Sequence, residues 1–369
     1  MIRLHSGKPA NRGTAMSKRM LLGIMMLCLF MGTALADTIK LKADAPDRYV
    51  VTKGDTLWDI SARFLESPWR WPEVWSFNPQ IKNPHLIYPG DVVYLEYDEQ
   101  GRPMLKVQRA QPTVKLSPKV RSAERVELPI TTIPRDAISQ FLGHPWVVSE
   151  RELNESAYIV SGTESRLMSG EGDRIYARGL VPGQDPRSEY SVLRIGKAYR
   201  DPKGGSVWGG GDILGYEALH VADAVVEDFG DPSTLRVTHS NREALVGDRL
   251  VPKNTMESEP TYVPHPPEMP IEGSIISVVD GVSRIGQFQT VVINKGELDG
   301  LEVGHVLAVY QSGAKVRDPV TKKWGDTEVT LPDQRAGIVL VFRTYDRVSY
   351  ALVMDSQRDM RILDSVRNP

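Results

Sequence analysis

The sequence predicts an α+β N-terminal module of βααβ order, followed by a mainly-β, duplicated C-terminal region of small barrels or sandwiches. Three observations carry this prediction. Residues 48–97 switch from a two-residue hydrophobic period to a helical one and back. Residues 137–369 hold many short β-branched runs separated by turn residues. Two stretches of that region also repeat each other at one offset. With 369 residues, 41% of them hydrophobic, the chain can bury a sizeable core divided among two or three domains.

In the first module, Tyr49-Val50-Val51-Thr52 reads as a strand ending at the Lys53-Gly54 turn. Leu57, Ile60, Phe64 and Leu65 then fall on one face of a helix, with Thr56 and Asp59 spaced as a capping box. Pro68 ends this helix, Pro72 suits the first turn of a second, and Trp71, Val74 and Trp75 form its stripe until Asn78-Pro79. Pro89-Gly90-Asp91 turns the chain into a second strand, Val92-Val93-Tyr94-Leu95.

Residues 98–135 carry eight Lys/Arg and five prolines, and are expected to form an extended connector. A β-rich module at 137–255 includes the runs Arg174–Ala177, Tyr190–Leu193 and Leu235–Thr238. After a proline-rich linker at 256–270, a second module at 271–369 includes Ile275–Val278, Val291–Ile293, Val306–Val309 and Val339–Phe342. Ser233, Val237, Ser240, Arg242, Asp248 and Leu250 match Ser349, Val353, Ser356, Arg358, Asp364 and Val366 at an offset of 116. Arg200-Asp201-Pro202 is echoed by Arg317-Asp318-Pro319.

Residues 1–36 read as a cleaved secretory signal with an upstream extension, since Met16 also makes a complete start. Lys18 and Arg19 precede an uncharged run from Met20 to Thr33, and Ala34-Leu35-Ala36 supplies small residues before Asp37. An uncleaved anchor, or a lipoprotein acylated at Cys28, is the alternative. Cys28 is the one cysteine, so a chain cleaved after Ala36 has no thiol and suits a periplasm. Of 45 Lys+Arg and 47 Asp+Glu, the first 36 residues take five basic groups and no acid, leaving 40 against 47, a net charge near −7. That balance argues against a nucleic-acid partner.

No H-E-x-x-H, G-x-S-x-G or P-loop occurs, so no catalytic residue and no cofactor are expected. His85, His144, His220, His239, His265 and His305 show no metal-ligand spacing, and no metal is expected. The glycines at 204–205 and 209–211 read as a hairpin loop. Asp223, Glu227, Asp228 and Asp231 would suit a hard cation but need none.

Tyr49-Val50-Val51-Thr52-Lys53-Gly54-Asp55-Thr56-Leu57-Trp58-Asp59-Ile60-Ser61, then Asn78-Pro79-Gln80-Ile81, then Leu86-Ile87-Tyr88-Pro89-Gly90-Asp91 resembles the LysM domain. The resemblance implies a βααβ module that binds N-acetylglucosamine units of peptidoglycan or chitin in a shallow groove. Carried over, the groove uses Gly54, Asp55, Thr56 and Leu57 on one side and Ile81, Asn83, Pro84, Leu86 and Ile87 on the other. The Pro68-Trp69-Arg70-Trp71-Pro72 link is longer and more aromatic than is usual there, which makes Trp69 and Arg70 candidates for an accessory contact to sugar or protein. The whole arrangement is similar to the type IV pilus secretin-associated LysM proteins. That similarity implies a wall-associated periplasmic protein whose C-terminal part holds an outer-membrane secretin, with homo-oligomerisation expected for avidity. The alternative is a LysM-targeted peptidoglycan hydrolase with catalytic carboxylates in the C-terminal part.

Overall fold

The computed structural model describes residues 39–75, 87–109, 133, 147–182, 189–203, 211–253, 262–279, 285–318 and 328–369. The expected leader, residues 110–132 and 134–135 of the expected connector, the glycine-rich loop at 204–210 and the 256–261 part of the second linker lie outside them. In the N-terminal module β1 (Arg48–Val50), α1 (Leu57–Phe64), a 3-10 turn (Pro68–Arg70), α2 (Trp71–Trp75) and β2 (Val92–Tyr97) follow in the expected order. Thr56 Oγ1 accepts from the Asp59 amide at 3.1 Å and the Asp59 carboxylate accepts from the Thr56 amide at 3.2 Å, which closes the capping box and starts α1. The stripe Leu57, Ile60 and Phe64 is buried, and Trp71 meets Trp75 edge-on at 6.4 Å.

The connector expected from residue 98 instead opens with another strand. β3 (Pro103–Gln108) pairs antiparallel with β2, placing Val107 opposite Val93 and Leu105 opposite Leu95. Asp98 makes the turn, its Oδ1 accepting from the amides of Gln100 (2.9 Å) and Arg102 (2.8 Å). Met104, Leu105 and Val107 are buried, so this segment reads as polar by composition yet closes the module core by position.

The next segment contains β4 (Val147–Val148), α3 (Glu150–Glu155), β5 (Ala157–Gly162), β6 (Met168–Ser169), β7 (Arg174–Arg178), β8 (Glu189–Arg200), β9 (Ile213–Asp228), β10 (Ser233–Ser240), β11 (Ala244–Leu245) and β12 (Arg249–Pro252). A Ser149–Glu152 capping box starts α3. Because β10 pairs with both β7 and β9, the six strands β5-β7-β10-β9-β8-β12 close on themselves, with β4 added at β9. Ile159, Ile175, Val192, Leu235, Val237 and Leu250 fill the interior.

The last segment contains β13 (Glu272–Val278), β14 (Thr290–Ile293), β15 (Val306–Gln311), β16 (Lys315–Arg317), β17 (Glu328–Thr330), β18 (Gln334–Thr344), β19 (Ser349–Ser356) and β20 (Ser365–Arg367). Here β13-β14-β19-β18-β15-β20 form a closed barrel, and β16 pairs with β17 as a separate ribbon. Of the two architectures expected, barrels or sandwiches, this is a barrel. Numbered along the chain, the six strands of either ring run 1-2-5-4-3-6 around it.

β18 and β19 are apolar on both faces. Val339, Val341, Ala351 and Val353 point into the barrel, while Ile338, Leu340, Phe342, Tyr350, Leu352 and Met354 point out. The outer row stays dry because Trp58 and Trp69 of the N-terminal module and Tyr199 and Leu214 of the β8–β9 hairpin join the same buried cluster. Tyr199 Oη and Tyr350 Oη lie 3.2 Å apart, and Arg347 Nη1 donates to the Ile213 carbonyl at 3.3 Å. At the positions 116 earlier than Tyr350, Leu352 and Met354, β10 carries Thr234, Arg236 and Thr238, and Arg236 pairs with Glu227 at its surface. The fifth strand of each ring therefore bears polar side chains where water reaches it and apolar ones where protein does.

Candidate functional site

The turn between β1 and α1 is built from backbone and one carboxylate. Gly54 sits at φ +98°, a left-handed conformation that glycine adopts freely, and a Cβ added there would meet nothing within 4 Å, so the backbone is open to close approach. Asp55 Oδ2 accepts from the Thr52 amide at 2.7 Å and from Tyr49 Oη at 2.9 Å, fixing the loop against β1. Across from it, Asp91 accepts from the Tyr88 amide at 3.1 Å, and Gly90 at φ +96° donates its amide to the Val51 carbonyl at 2.8 Å. The two loops that flank the expected groove are thus stitched together beside β1.

The expected roles divide accordingly. Gly54 is exposed and Asp55 half-buried. Thr56, Leu57 and Ile87 are 3%, 0% and 0% exposed, which corrects the expectation that Leu57 and Ile87 offer a surface to a sugar: they are core and hold the loops in place. Ile81, Asn83, Pro84 and Leu86 lie outside the described residues. Trp69 is buried in the cluster against the second barrel, so the accessory-contact expectation is also corrected. Arg70 is half-buried and bonds Glu73 through two nitrogens at 2.8 and 2.7 Å. An exposed indole would strand apolar area in water, and here it is spent on packing.

Residues 49–95 are a LysM domain. LysM domains bind N-acetylglucosamine units of peptidoglycan, and the turn geometry above lies inside the matched span. The chain is also similar to the uncharacterized protein YqbP of Bacillus subtilis (strain 168), 38% identical over 56 residues, which covers 12% of this chain and 26% of that protein. The chain thus spans about a quarter of the length of that curated relative.

Polar clusters also lie outside the LysM domain among the described residues. In the first barrel Asp223 accepts from Lys253 Nζ at 2.7 Å, lies 3.0 Å from His220 Nε2 and accepts from Ser191 Oγ at 3.2 Å. Burial works to raise its pKa, but the bonds from His220 and Lys253 outweigh it and hold the carboxyl well below the usual range. Glu227 is shared by Arg174 and Arg236, and Asp231 is gripped by Nε and Nη2 of Arg178. Asp223, Glu227 and Asp231 of the acid-rich stretch are therefore matched by side-chain cations.

Sequence spacing missed another cluster: His265 and His305, forty positions apart, meet edge-on at 4.7 Å beside Glu302. The His305 Nδ1 accepts from the Glu302 amide at 3.0 Å, so the neutral ring carries its proton on Nε2 and presents no lone pair there. His265 Nδ1 lies 2.9 Å from the Val263 carbonyl, to which it donates. Backbone bonds from His265 N to Gly304 O at 3.1 Å and from Val306 N to His265 O at 2.9 Å clasp the segment before β13 to the turn before β15, and the protonated His305 Nε2 does not suit a metal ligand.

Proposed function

We propose that this chain is a non-catalytic, exported peptidoglycan-binding protein. In this reading its LysM domain holds N-acetylglucosamine-containing glycan, and its two barrels hold an envelope complex, that of the type IV pilus secretin. One observation carries the glycan half: the open Gly54 backbone beside an Asp55-fixed, Thr56-capped turn within a matched LysM domain. Export and wall association find support in the leader pattern at 1–36 and in the absence of cysteine after it. The secretin assignment rests on the order of parts, LysM with a tryptophan-rich link followed by a long β region.

The reading includes an internal duplication, supported by equal strand order in the two rings and by backbone bonds that recur 116 residues apart. Ile159 N donates to Asp248 O at 2.9 Å and Ile275 N to Asp364 O at 3.0 Å; Gly172 N donates to Val237 O at 2.8 Å and Phe288 N to Val353 O at 2.7 Å. A side-chain bond recurs as well: Asp248 accepts from the Leu245 amide and Asp364 from the Arg361 amide, both at 2.8 Å. A single LysM binding in the micromolar to millimolar range, about −8 to −4 kcal/mol, would gain retention from several copies on a ring.

Two experiments test the proposal. The mature chain should leave no cleared band in a murein gel, and crosslinking in piliated envelopes should join it to the secretin. A cleared band that survives purification, or secretin assembled free of this chain, would overturn it.

A further inference from the structure

The β16–β17 ribbon is amphipathic. Val316 lies opposite Val329, and Leu331 donates its amide to Ala314, so these four residues share one face. Lys315, Arg317, Glu328 and Thr330 share the other. Val316, Val329 and Leu331 are 39%, 48% and 40% exposed, and every residue of β16 and β17 is exposed. A two-stranded ribbon with a bare apolar face is marginal in water by itself.

The corresponding ribbon of the first barrel, the distal part of β8–β9, shows what such a face is for. Arg200 pairs with Ile213 there as Arg317 pairs with Glu328 here, which places Tyr199 at the position of Val316; a bulge then sets Tyr199 opposite Gly215 and leaves Leu214 as the extra residue beside it. Tyr199 and Leu214 are 2% and 7% exposed, seated on the outer apolar row of β18 and β19. That row is already covered within the chain. A second copy offers no match on its first barrel, because the equivalent outer positions of β10 are Thr234, Arg236 and Thr238.

We propose that the β16–β17 ribbon docks on a different protein, one that presents the apolar outer face of a β-sheet, in the way the β8–β9 ribbon docks on the second barrel. The correspondence rests on the duplication reading. The ribbon supplies Val316, Val329 and Leu331 to the contact and keeps its charged face toward water.

The test places a benzophenone amino acid at single positions of the full chain in its own cells, followed by irradiation and mapping of the crosslinked peptides. Positions 316, 329 and 331 should give one heterologous adduct, and positions 315, 317 and 328 should not. The mapped residue should be an outward apolar residue of a sheet, and Val329→Lys should lower the adduct at 316 by about tenfold or more. Because Val329 is exposed, that variant should keep its circular dichroism and Tm. An adduct of twice the chain's mass, equal yields from both ribbon faces, a mapped residue outside a sheet, or no adduct would overturn the proposal. The same probe at 214 should crosslink within the chain to β18–β19. If position 214 behaves so and 316 does not, the docking inference alone falls; if 214 also fails, the correspondence between the ribbons falls with it.

Discussion

The contact between Tyr199 and Tyr350 gives a quantitative test of how the β8–β9 ribbon seats on the second barrel. The two hydroxyls are 3.2 Å apart, and the residues are 2% and 1% exposed. Burial holds both phenols above their ordinary range, so the pair stays neutral and bonded through working pH. Replacing either tyrosine by phenylalanine leaves a buried hydroxyl without this partner, a cost of about 1–2 kcal/mol. Replacing both removes the two polar atoms together, so the double variant should also cost about 1–2 kcal/mol and not the sum of the single costs. The coupling, about 1–2 kcal/mol, can be read from urea unfolding of the wild type, Tyr199→Phe, Tyr350→Phe and the double variant. Additive single costs would mean that the hydroxyls do not bond across the two barrels and that the ribbon sits elsewhere.

Other predictions follow from burial and charge. Trp69→Ala should cost about 3–5 kcal/mol in packing and let trypsin release the LysM domain from chains whose barrels stay folded; an unchanged digestion pattern would contradict the docked indole. Burial, and then the nearby His265, lowers the pKa of His305 below 6.5, so as pH falls the unfolded chain takes up this proton first. The stability tied to His305 should be complete above about pH 6.5 and decline below it, and His305→Gln should flatten the fall in Tm between about pH 7 and 5. Asp364 behaves oppositely for a carboxyl, since burial raises its pKa above 3.8 despite the Arg361 amide. The folded chain takes up that proton more readily than the unfolded one, so its contribution is present below 3.8 and lost as pH rises through the folded value. Asp364→Asn, which keeps an acceptor for Arg361, should therefore match or exceed wild-type stability at about pH 7 and lose that margin near about pH 4.

The LysM domain was legible because its signals are local: Thr56 and Asp59 are three apart, the α1 stripe has one period, and Pro89-Gly90-Asp91 sits at the mouth of β2. β3 was hidden because Pro103, Lys106 and Gln108 dilute its three buried residues, and pairing with β2 is a tertiary fact. The start of α3 is as local a signal, since Ser149 and Glu152 have the spacing of Thr56 and Asp59. For Trp69 the sequence shows an apolar residue without showing its cover. That cover, the outer row of β18 and β19, was written in the unbroken run Ile338–Phe342, which alternation in a one-sided strand would have interrupted. The His265–His305 clasp is beyond any local pattern because two separate turns bring the rings together.

The burial of Thr56 and Leu57 also decides how glycan binding should be probed, since charged replacements there would unfold α1 along with any groove. The most direct measurement leaves the chain intact: co-sedimentation of the mature protein with insoluble peptidoglycan sacculi, with and without soluble N-acetylglucosamine oligomers. The account predicts that the protein pellets with the sacculi and is released by the oligomers. Protein that stays in the supernatant, or that pellets equally with saturating oligomer present, would contradict it.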